Sequence, residues 1–377
     1  MWLLNERLLI DCRDFLDSAV SSLAPDPQRP ALIVYHGDGD GCCAAHFLKK
    51  AIHPPRIQFY WVPTPAFDFR EAEVHCLDKN AGLVVFLDLP VQNRLEMIER
   101  LAAKARVFIY DHHEVGGFEP GFKCDGVLYV NPVLLHQGVP YPTALFAWAL
   151  MRKRTPQDDE VLFMGLFTES WLDRVPEIFQ YLNPFRQGTL KEVAKRVHAS
   201  FLVHESGTAH PALDLLALID ESPTGIGPEI FRSSEYRILE HAYGLVESEK
   251  RRLLKGILSQ IHGAPSSGLI LEMVESEIRV SGLIASELRW MFPGVVIAIG
   301  QRWRDRYVCE LRRGAGCDVN LAELIEGIRQ DARLLTGGGH PMAAAFAAEE
   351  AEFMKALEGI RRRFPRQQPS SPLAPSP

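Results

Sequence analysis

Residues 107–113 read Val-Phe-Ile-Tyr-Asp-His-His, a short apolar run that ends in one carboxylate and two imidazoles. The apolar part predicts a buried strand, and packing does not explain three polar side chains at its end. In open sheets of parallel strands, active sites lie beyond the carboxyl ends of the strands. Asp111, His112 and His113 therefore mark one end of a predicted sheet as a candidate active site.

Two upstream apolar runs end in the same way. One is followed by His36-Gly-Asp38-Gly-Asp40-Gly, and the other is followed directly by Asp88. If the three strands are neighbours, these side chains converge on one polyvalent cation site. Each segment alone also has a plainer explanation, because Asp and Gly are common in turns and Asp often caps the helix that follows a strand.

Strand-like runs alternate with helical patterns from residue 31 to about 131, which indicates βαβ units and a parallel sheet. Residues 174–230 contain five prolines and are expected to be a partly helical connection, followed by a long charged helix over 235–261. A second αβ segment comes next. The expected strands cover 31–36, 57–62, 83–88, 106–111, 126–130, 268–274, 295–300 and 306–312.

The composition of the 377-residue chain is that of a soluble globular protein, and its length favours two domains. A net charge of −7 argues against a surface that attracts nucleic acid by bulk charge. The seven cysteines form no CxxC pair, and no apolar run approaches the roughly 20 residues of a membrane span. We therefore expect a cytoplasmic protein with reduced thiols and no membrane partner.

The three strand ends together carry imidazole and carboxylate side chains as possible metal ligands, and no thiolate. Such imidazole and carboxylate ligands suit Mn²⁺, Mg²⁺ or Co²⁺. Closely spaced acids repel one another unless cations neutralise them, and two ions that share a carboxylate can activate a water for phosphoryl hydrolysis. The sequence therefore predicts two divalent cations, with Mn²⁺ favoured, at a set of candidate ligands: His36, Asp38, Asp40, Asp88, Asp111, His112 and His113.

The second αβ segment contains Gly337-Gly338-Gly339-His340. Three glycines allow a loop to present backbone N–H groups to an anion, and His340 can add a further donor. A simple glycine turn is the alternative. Arg312 ends a strand-like run and can hold a phosphate, although a solvated charge pair with Arg313 is the better explanation of either arginine taken alone.

In the order and spacing of these motifs, the chain resembles the DHH phosphoesterase superfamily. That group includes RecJ-type exonucleases, nanoRNases, cyclic-dinucleotide phosphodiesterases and family II pyrophosphatases. The resemblance covers roughly residues 30–350 and implies an α/β fold. A parallel-sheet DHH domain would be joined to a smaller α/β C-terminal substrate-binding domain, with a cleft between them.

The resemblance also implies a role for each site residue. His36, Asp38 and Asp88 would hold one ion, and Asp40, Asp88 and His112 would hold the second, with Asp88 as the bridge. The remaining roles belong to catalysis and to substrate binding. His113 would face the phosphate or the attacking water and Asp111 would support the imidazoles, while a substrate phosphate would be held by Arg312, Gly338, Gly339 and His340.

Two positions depart from the family pattern. The family carries a further metal-binding Asp on a helix, and the matching residue here is Glu169, whose longer side chain is expected to displace or weaken the second ion. Asp173, one helical turn beyond, is an alternative ligand. Ala345 stands where Gly is common in the C-terminal motif. A degenerate protein that binds nucleotides without cleaving them is therefore an alternative.

We expect an enzyme that hydrolyses phosphodiester or phosphomonoester bonds in short oligonucleotides or small nucleotides, and a homodimer is compatible with the sequence. A RecJ-like single-strand exonuclease is the enzymatic alternative, and it would predict an additional oligonucleotide-binding module. The expected segments are a DHH catalytic domain at 1–180, a connecting region and linker helix at 181–262, a C-terminal substrate-binding domain at 263–363 and a disordered tail at 364–377.

Overall fold

The computed structural model divides into two compact units, Met1–Glu247 and Ser248–Pro377. The finer division predicted at residues 180 and 262 stays a prediction. All of the predicted tail except Phe364 lies outside the described residues. The structure describes residues 5–23, 26, 28–62, 70–91, 94–113, 124–135, 139–204, 207–261 and 268–364.

A five-stranded parallel sheet forms the centre of the first unit. Its strands are β1 (Ala31–His36), β2 (Ile57–Val62), β3 (Leu83–Leu87), β4 (Arg106–Tyr110) and β5 (Val127–Val130). They lie in the order β2-β1-β3-β4-β5, and every neighbouring pair is parallel. The predicted parallel sheet is thus confirmed. Since the chain adds β2 on one side of β1 and β3 on the other, the carboxyl ends of β1 and β3 flank a topological switch point.

Helices cover this sheet, and α2 is deeply placed, with every residue from Gly39 to Leu48 buried. A long helix, α12 (Ser234–Gln260), then continues into the second unit. Within the described ranges, no helix is both long and apolar enough to cross a membrane. The other helices of the first unit are α1 (Glu6–Ser21), α2 (Gly39–Ile52), α3 (Arg70–Asp78), α4 (Leu95–Ala102), α5 (Pro132–Leu135), α6 (Thr143–Leu150), α7 (Pro156–Thr168), α8 (Pro176–Phe179), α9 (Pro184–Val203), α10 (Pro211–Glu221) and α11 (Pro228–Arg232).

The proline-rich region is far more helical than the sequence pattern indicated. Pro176, Pro184, Pro211 and Pro228 each stand at the start of a helix. Proline is favoured at the first helical position because its missing N–H would have no partner within the helix there. These prolines therefore begin helices α8 to α11.

The second unit contains a mixed five-stranded sheet in the order β6-β7-β8-β10-β9. β6 and β7 are parallel, and the other neighbouring pairs are antiparallel. The glycine motif predicted to be a loop forms strand β9, at one edge of this sheet. The elements are β6 (Leu269–Val274), α13 (Ser281–Met291), β7 (Val296–Trp303), β8 (Arg306–Arg313), α14 (Leu321–Asp331), β9 (Thr336–His340), β10 (Ala343–Ala348) and α15 (Glu350–Arg363).

The start of helix α13 is fixed to the second sheet by a buried glutamine on β7. The side-chain oxygen of Gln301 accepts hydrogen bonds from the backbone N–H groups of Val280 and Ser281, each at 3.2 Å. Its amide nitrogen donates to the carbonyl oxygens of Ser276 (3.0 Å) and Ile278 (2.7 Å). All four hydrogen-bonding positions of one buried amide are thereby used to hold α13 against the sheet.

Candidate metal centre

Three adjacent parallel strands bring their polar ends together in the first unit. His36 is the last residue of β1, Asp88 follows β3, and Asp111 and His112 follow β4. All four side chains are buried. The convergence that the apolar runs predicted is therefore present in the fold.

The carboxylate of Asp88 lies between two imidazoles. Its Oδ2 is 3.1 Å from Nδ1 of His36, and its Oδ1 is 3.1 Å from Nε2 of His112. Asp38 approaches the same histidine, with 3.4 Å between its Oδ2 and Nδ1 of His36. One carboxylate thus faces a donor group on each side, as a bridging ligand between two ions requires.

Asp88 is held in an unusual backbone conformation. Its φ is 58°, in the left-handed region, and its N–H donates to the carbonyl oxygen of Tyr110 at 3.0 Å. The next helix, α4, begins at Leu95 with Arg94 at its N-cap, so Asp88 does not cap it. Strained backbone of this kind clusters at functional sites, which supports a ligand role for Asp88 over the helix-cap explanation.

Asp38 combines helix capping with an orientation toward His36. It is the N-cap of α2, and its Oδ1 accepts a hydrogen bond from the N–H of Gly41 at 3.0 Å. Because this bond fixes one carboxylate oxygen, the other is directed at His36. A Cβ on residue 41 would lie only 2.2 Å from the carbonyl oxygen of His36, so this segment needs glycine there.

Asp40, which the family resemblance assigns to the second ion, is held in place by helix α6. It is fully buried, and its two oxygens accept hydrogen bonds from the backbone N–H groups of Thr143 (2.8 Å) and Ala144 (2.9 Å) at the start of α6. Burial and the nearby charge of Asp88 raise the pKa of Asp40 to about 7. Asp40 therefore ties the first motif to helix α6.

Among the described residues at these strand ends, two groups of three have donor atoms close enough to hold an ion. In each group, one donor atom from every residue lies within 4.8 Å of the others, and both groups contain Asp88. The second group includes His113, whereas the resemblance implied Asp40 at that position. Nitrogen and oxygen donors without thiolate fit a divalent ion such as Mn²⁺, Mg²⁺ or Co²⁺. The two groups are His36, Asp38 and Asp88, and Asp88, His112 and His113.

Asp88 and His112 shift each other's pKa in opposite directions. Burial raises the pKa of Asp88, but hydrogen bonds from His112 and His36 outweigh burial and hold it well below its ordinary value. Burial lowers the pKa of His112, and its bond to Asp88 raises that pKa well above the ordinary value. Divalent cations would supply the same positive charge as protonated His112, and their binding would release its proton.

His113 is oriented by a buried carboxylate. Its Nδ1 lies 2.6 Å from Oδ1 of Asp111, which is fully buried. Burial lowers the pKa of His113, but the negative charge of Asp111 outweighs burial and raises it. A carboxylate behind an imidazole fixes the ring and increases its basicity. Asp111 thus supports His113 directly.

Glu169 stands at the C-terminal end of α7, near the acids of the centre. Burial and the negative charges of Asp40 and Asp38 raise its pKa well above the ordinary value. It belongs to neither three-residue group. Asp173, the alternative ligand, is exposed in a short turn at Leu172–Arg174 and also belongs to neither.

In the second unit, two predicted phosphate ligands, Arg312 and His340, share one face of the sheet. Arg312 on β8 pairs with Ala343 on β10, which in turn pairs with His340 on β9. Residues directly opposite one another on neighbouring strands point to the same face. The Arg312 guanidinium donates to Glu310 Oε2 at 3.2 Å and to the carbonyl oxygen of Leu311 at 2.8 Å. This row therefore presents a guanidinium and an imidazole on either side of a small methyl group.

The glycines of this motif have a structural reason of their own. Gly339 has a φ of 150°, and a Cβ there would lie 2.4 Å from the carbonyl oxygen of Ala343. Gly338 pairs with Ala345, so the Ala that departs from the family pattern lies on the strand next to the motif. The close approach of β9 and β10 is thus a sufficient reason for glycine at position 339, without any ligand.

Sequence reasoning missed one cationic neighbour of Arg312. Burial and then the positive charge of Arg312 lower the pKa of Arg289, which indicates that the two guanidinium groups are close. Arg289 lies in the last turn of α13, where no motif distinguishes it from an ordinary surface arginine. Its proximity depends on how α13 packs on the sheet.

No protein-family model matches the chain, and no curated protein is significantly similar to it in sequence. Solved structures do match. RecJ from Thermus thermophilus in complex with Mn²⁺ is 18% identical with a TM-score of 0.67, over 97% of this chain and 56% of that one. A structure of exonuclease RecJ bound to manganese is 18% identical with a TM-score of 0.64, over 97% of both chains. An exopolyphosphatase-related protein from Bacteroides fragilis is 12% identical with a TM-score of 0.55, over 97% of both chains.

These likenesses establish the class of fold. The chain shares the α/β fold of the RecJ structures, and the predicted fold class, a parallel sheet followed by a second αβ unit, is confirmed. It spans little more than half the length of the Thermus thermophilus RecJ chain.

Proposed function

We propose that the protein is a two-metal phosphoesterase that cleaves phosphodiester or phosphomonoester bonds in short oligonucleotides or small nucleotides. The placement of Asp88 between His36 and His112 carries this proposal, because a shared carboxylate with a donor group on each side is the arrangement of a two-ion hydrolase. The RecJ structures that share this fold hold Mn²⁺ or Mg²⁺, which supports divalent ions and favours Mn²⁺ here.

In the proposed mechanism, His36 and Asp38 would hold one ion, His112 would hold the other, and Asp88 would be a ligand of both. When bound, the ions supply a nucleophilic water and neutralise charge that develops on the phosphoryl oxygens. His113 has its Nδ1 engaged by Asp111, so we assign its Nε2 to the phosphate or the attacking water.

The substrate class is inferred from charge. The basic row of Arg312 and His340, with Arg289 nearby, suits a terminal phosphate, and a guanidinium can hold one through two parallel hydrogen bonds. The net charge of −7 disfavours long polyanions held by bulk attraction. Short nucleotidic substrates satisfy both observations.

A RecJ-like single-strand exonuclease is the second candidate, and one observation favours it. The match to a structure described as exonuclease RecJ extends over 97% of both chains. The fold alone therefore does not separate the two candidates. Substrate length therefore becomes the deciding measurement.

The first prediction concerns activity itself. With Mn²⁺, the full chain is expected to release mononucleotides from dinucleotides faster than from long single strands, and chelation is expected to abolish release. The measurement is product formation on a panel of short RNA, short DNA, linear and cyclic dinucleotides and pyrophosphate, alongside Glu169→Asp. Nucleotide binding without turnover in both proteins would favour the non-catalytic alternative, and faster cleavage of long strands would favour the exonuclease.

The second prediction concerns the phosphate row. His340→Ala is expected to raise KM about tenfold or more with little change in kcat, since a hydrogen bond to a charged group contributes about 1.5–3 kcal/mol. Steady-state kinetics on a dinucleotide would measure KM and kcat separately. His241→Ala, on an exposed position of α12, is the control. A KM equal to that of the control would remove His340 from substrate binding.

A further inference from the structure

A third group of potential ligands lies in the first unit, where helices α2, α7 and α10 meet. His46 comes from α2, Asp158 from the first turn of α7 and Asp220 from the last turn of α10. One donor atom from each lies within 4.8 Å of the others. Asp158 and Glu169 lie eleven positions apart along α7, which is about 16 Å of helix, so this group is distinct from the centre described above.

The aspartates of this group already hold a cation. The Nζ of Lys50, one turn after His46 on α2, lies 2.6 Å from Oδ1 of Asp158 and also contacts Oδ1 of Asp220. The other oxygen of Asp158 accepts hydrogen bonds from the N–H (2.7 Å) and hydroxyl (2.9 Å) of Thr155. The capping interaction thus fixes the carboxylate so that Oδ1 faces the group.

The imidazole of His46 is the independent sign of a ligand. Its Nε2 is buried and has no hydrogen-bond partner within the described part of the chain. Leaving a buried polar atom without a partner costs about 1–3 kcal/mol. Burial lowers the pKa of His46 to about 4, so the ring is neutral at neutral pH and its lone pair is available. The ammonium of Lys50 satisfies the two acids but makes no hydrogen bond with this nitrogen.

We propose that His46, Asp158 and Asp220 form an additional site for a divalent transition-metal ion, and that the ammonium of Lys50 occupies it in the metal-free protein. One imidazole and two carboxylates favour Zn²⁺, Co²⁺ or Mn²⁺ over Mg²⁺ and Ca²⁺, which prefer oxygen ligands alone. Lys50 is partly exposed and flexible, so its head group can move into water when an ion enters. A bound ion would join three helices that are far apart in the sequence.

Equilibrium dialysis of the full chain against Co²⁺ tests the site without relying on activity. His46→Leu and Asp220→Asn are each expected to bind one Co²⁺ fewer per chain than the wild type. His75→Leu, a partly buried histidine on α3, is the control and is expected to keep the wild-type number. Equal stoichiometry in all four proteins would overturn the proposal.

Lys50→Met separates a metal site from a purely internal ion-pair cluster. Without its competing ammonium, the site is expected to bind Co²⁺ about tenfold more tightly, a difference of about 1.4 kcal/mol. Added Co²⁺ is also expected to raise the Tm of this variant more than that of the wild type. If Lys50→Met binds Co²⁺ no more tightly than the wild type, the proposal that an ion displaces Lys50 is wrong. If it does not fold, the stoichiometry of Asp220→Asn decides the proposal.

Discussion

Asp88→Asn is expected to lower Mn²⁺-dependent turnover by about a thousandfold or more, since a pair of ions contributes several kcal/mol of transition-state stabilisation. Asparagine has the same size and tolerates the left-handed conformation at this position. The backbone is therefore expected to keep its path. The substitution replaces one carboxylate oxygen with an amide nitrogen, which cannot bind an ion and would face His36 or His112.

Two measurements check this result. Bound manganese per chain is expected to fall below the wild-type value, and circular dichroism is expected to be unchanged. Asp173→Asn, on the exposed turn after α7, serves as the matched control because it removes the same charge outside both ligand groups. A variant with wild-type manganese content and near-normal turnover would show that Asp88 is not the shared ligand.

Gly41→Ala is expected to destabilise the first unit by about 1–3 kcal/mol, the typical cost of overpacking a buried site. The added Cβ would lie 2.2 Å from the carbonyl oxygen of His36 and 3.1 Å from its Cβ. The added Cβ would collide with backbone atoms of His36, so His36 itself must move. We therefore expect manganese affinity to fall together with the free energy of unfolding.

Gly188→Ala is the matched control for this substitution. It also lies in a helix, α9, but nothing is within 4 Å of its added Cβ. Alanine is favoured over glycine in helix interiors, so this control is expected to gain about 0.5–1 kcal/mol. Denaturant unfolding measures the change in unfolding free energy of both variants, which is expected to be a loss for Gly41→Ala and a gain for Gly188→Ala. Equal gains would mean that the turn at His36 tolerates a side chain.

The strands of the first sheet and the polar residues at their ends were predictable from local sequence. A parallel strand covered on both faces appears as an uninterrupted apolar run, and a carboxylate or imidazole that ends it is conspicuous. β9 and β10 were not predictable in the same way. Their glycines and alanines have low strand propensity, and pairing with β8 determines their conformation.

The ligand groups also differ in how far they can be predicted from local sequence. Asp38 and His36 are close in the sequence, and their motif carries a signal of its own. His46, Asp158 and Asp220 come from three separate helices, and no spacing connects them. The hydrogen bonds that Asp40 accepts at the start of α6 were also not predictable from sequence, because they depend on where α6 begins in space. Tertiary packing decides such cases.

The burial of helix α2 has a consequence for hydrogen exchange in the first unit. The first motif leads directly into this helix, and every residue from Gly39 to Leu48 is buried. Segments with this degree of burial open only with the cooperative unit that contains them, whereas fraying ends open by themselves. The amide protons of this segment are therefore expected to exchange far more slowly than those at exposed helix ends.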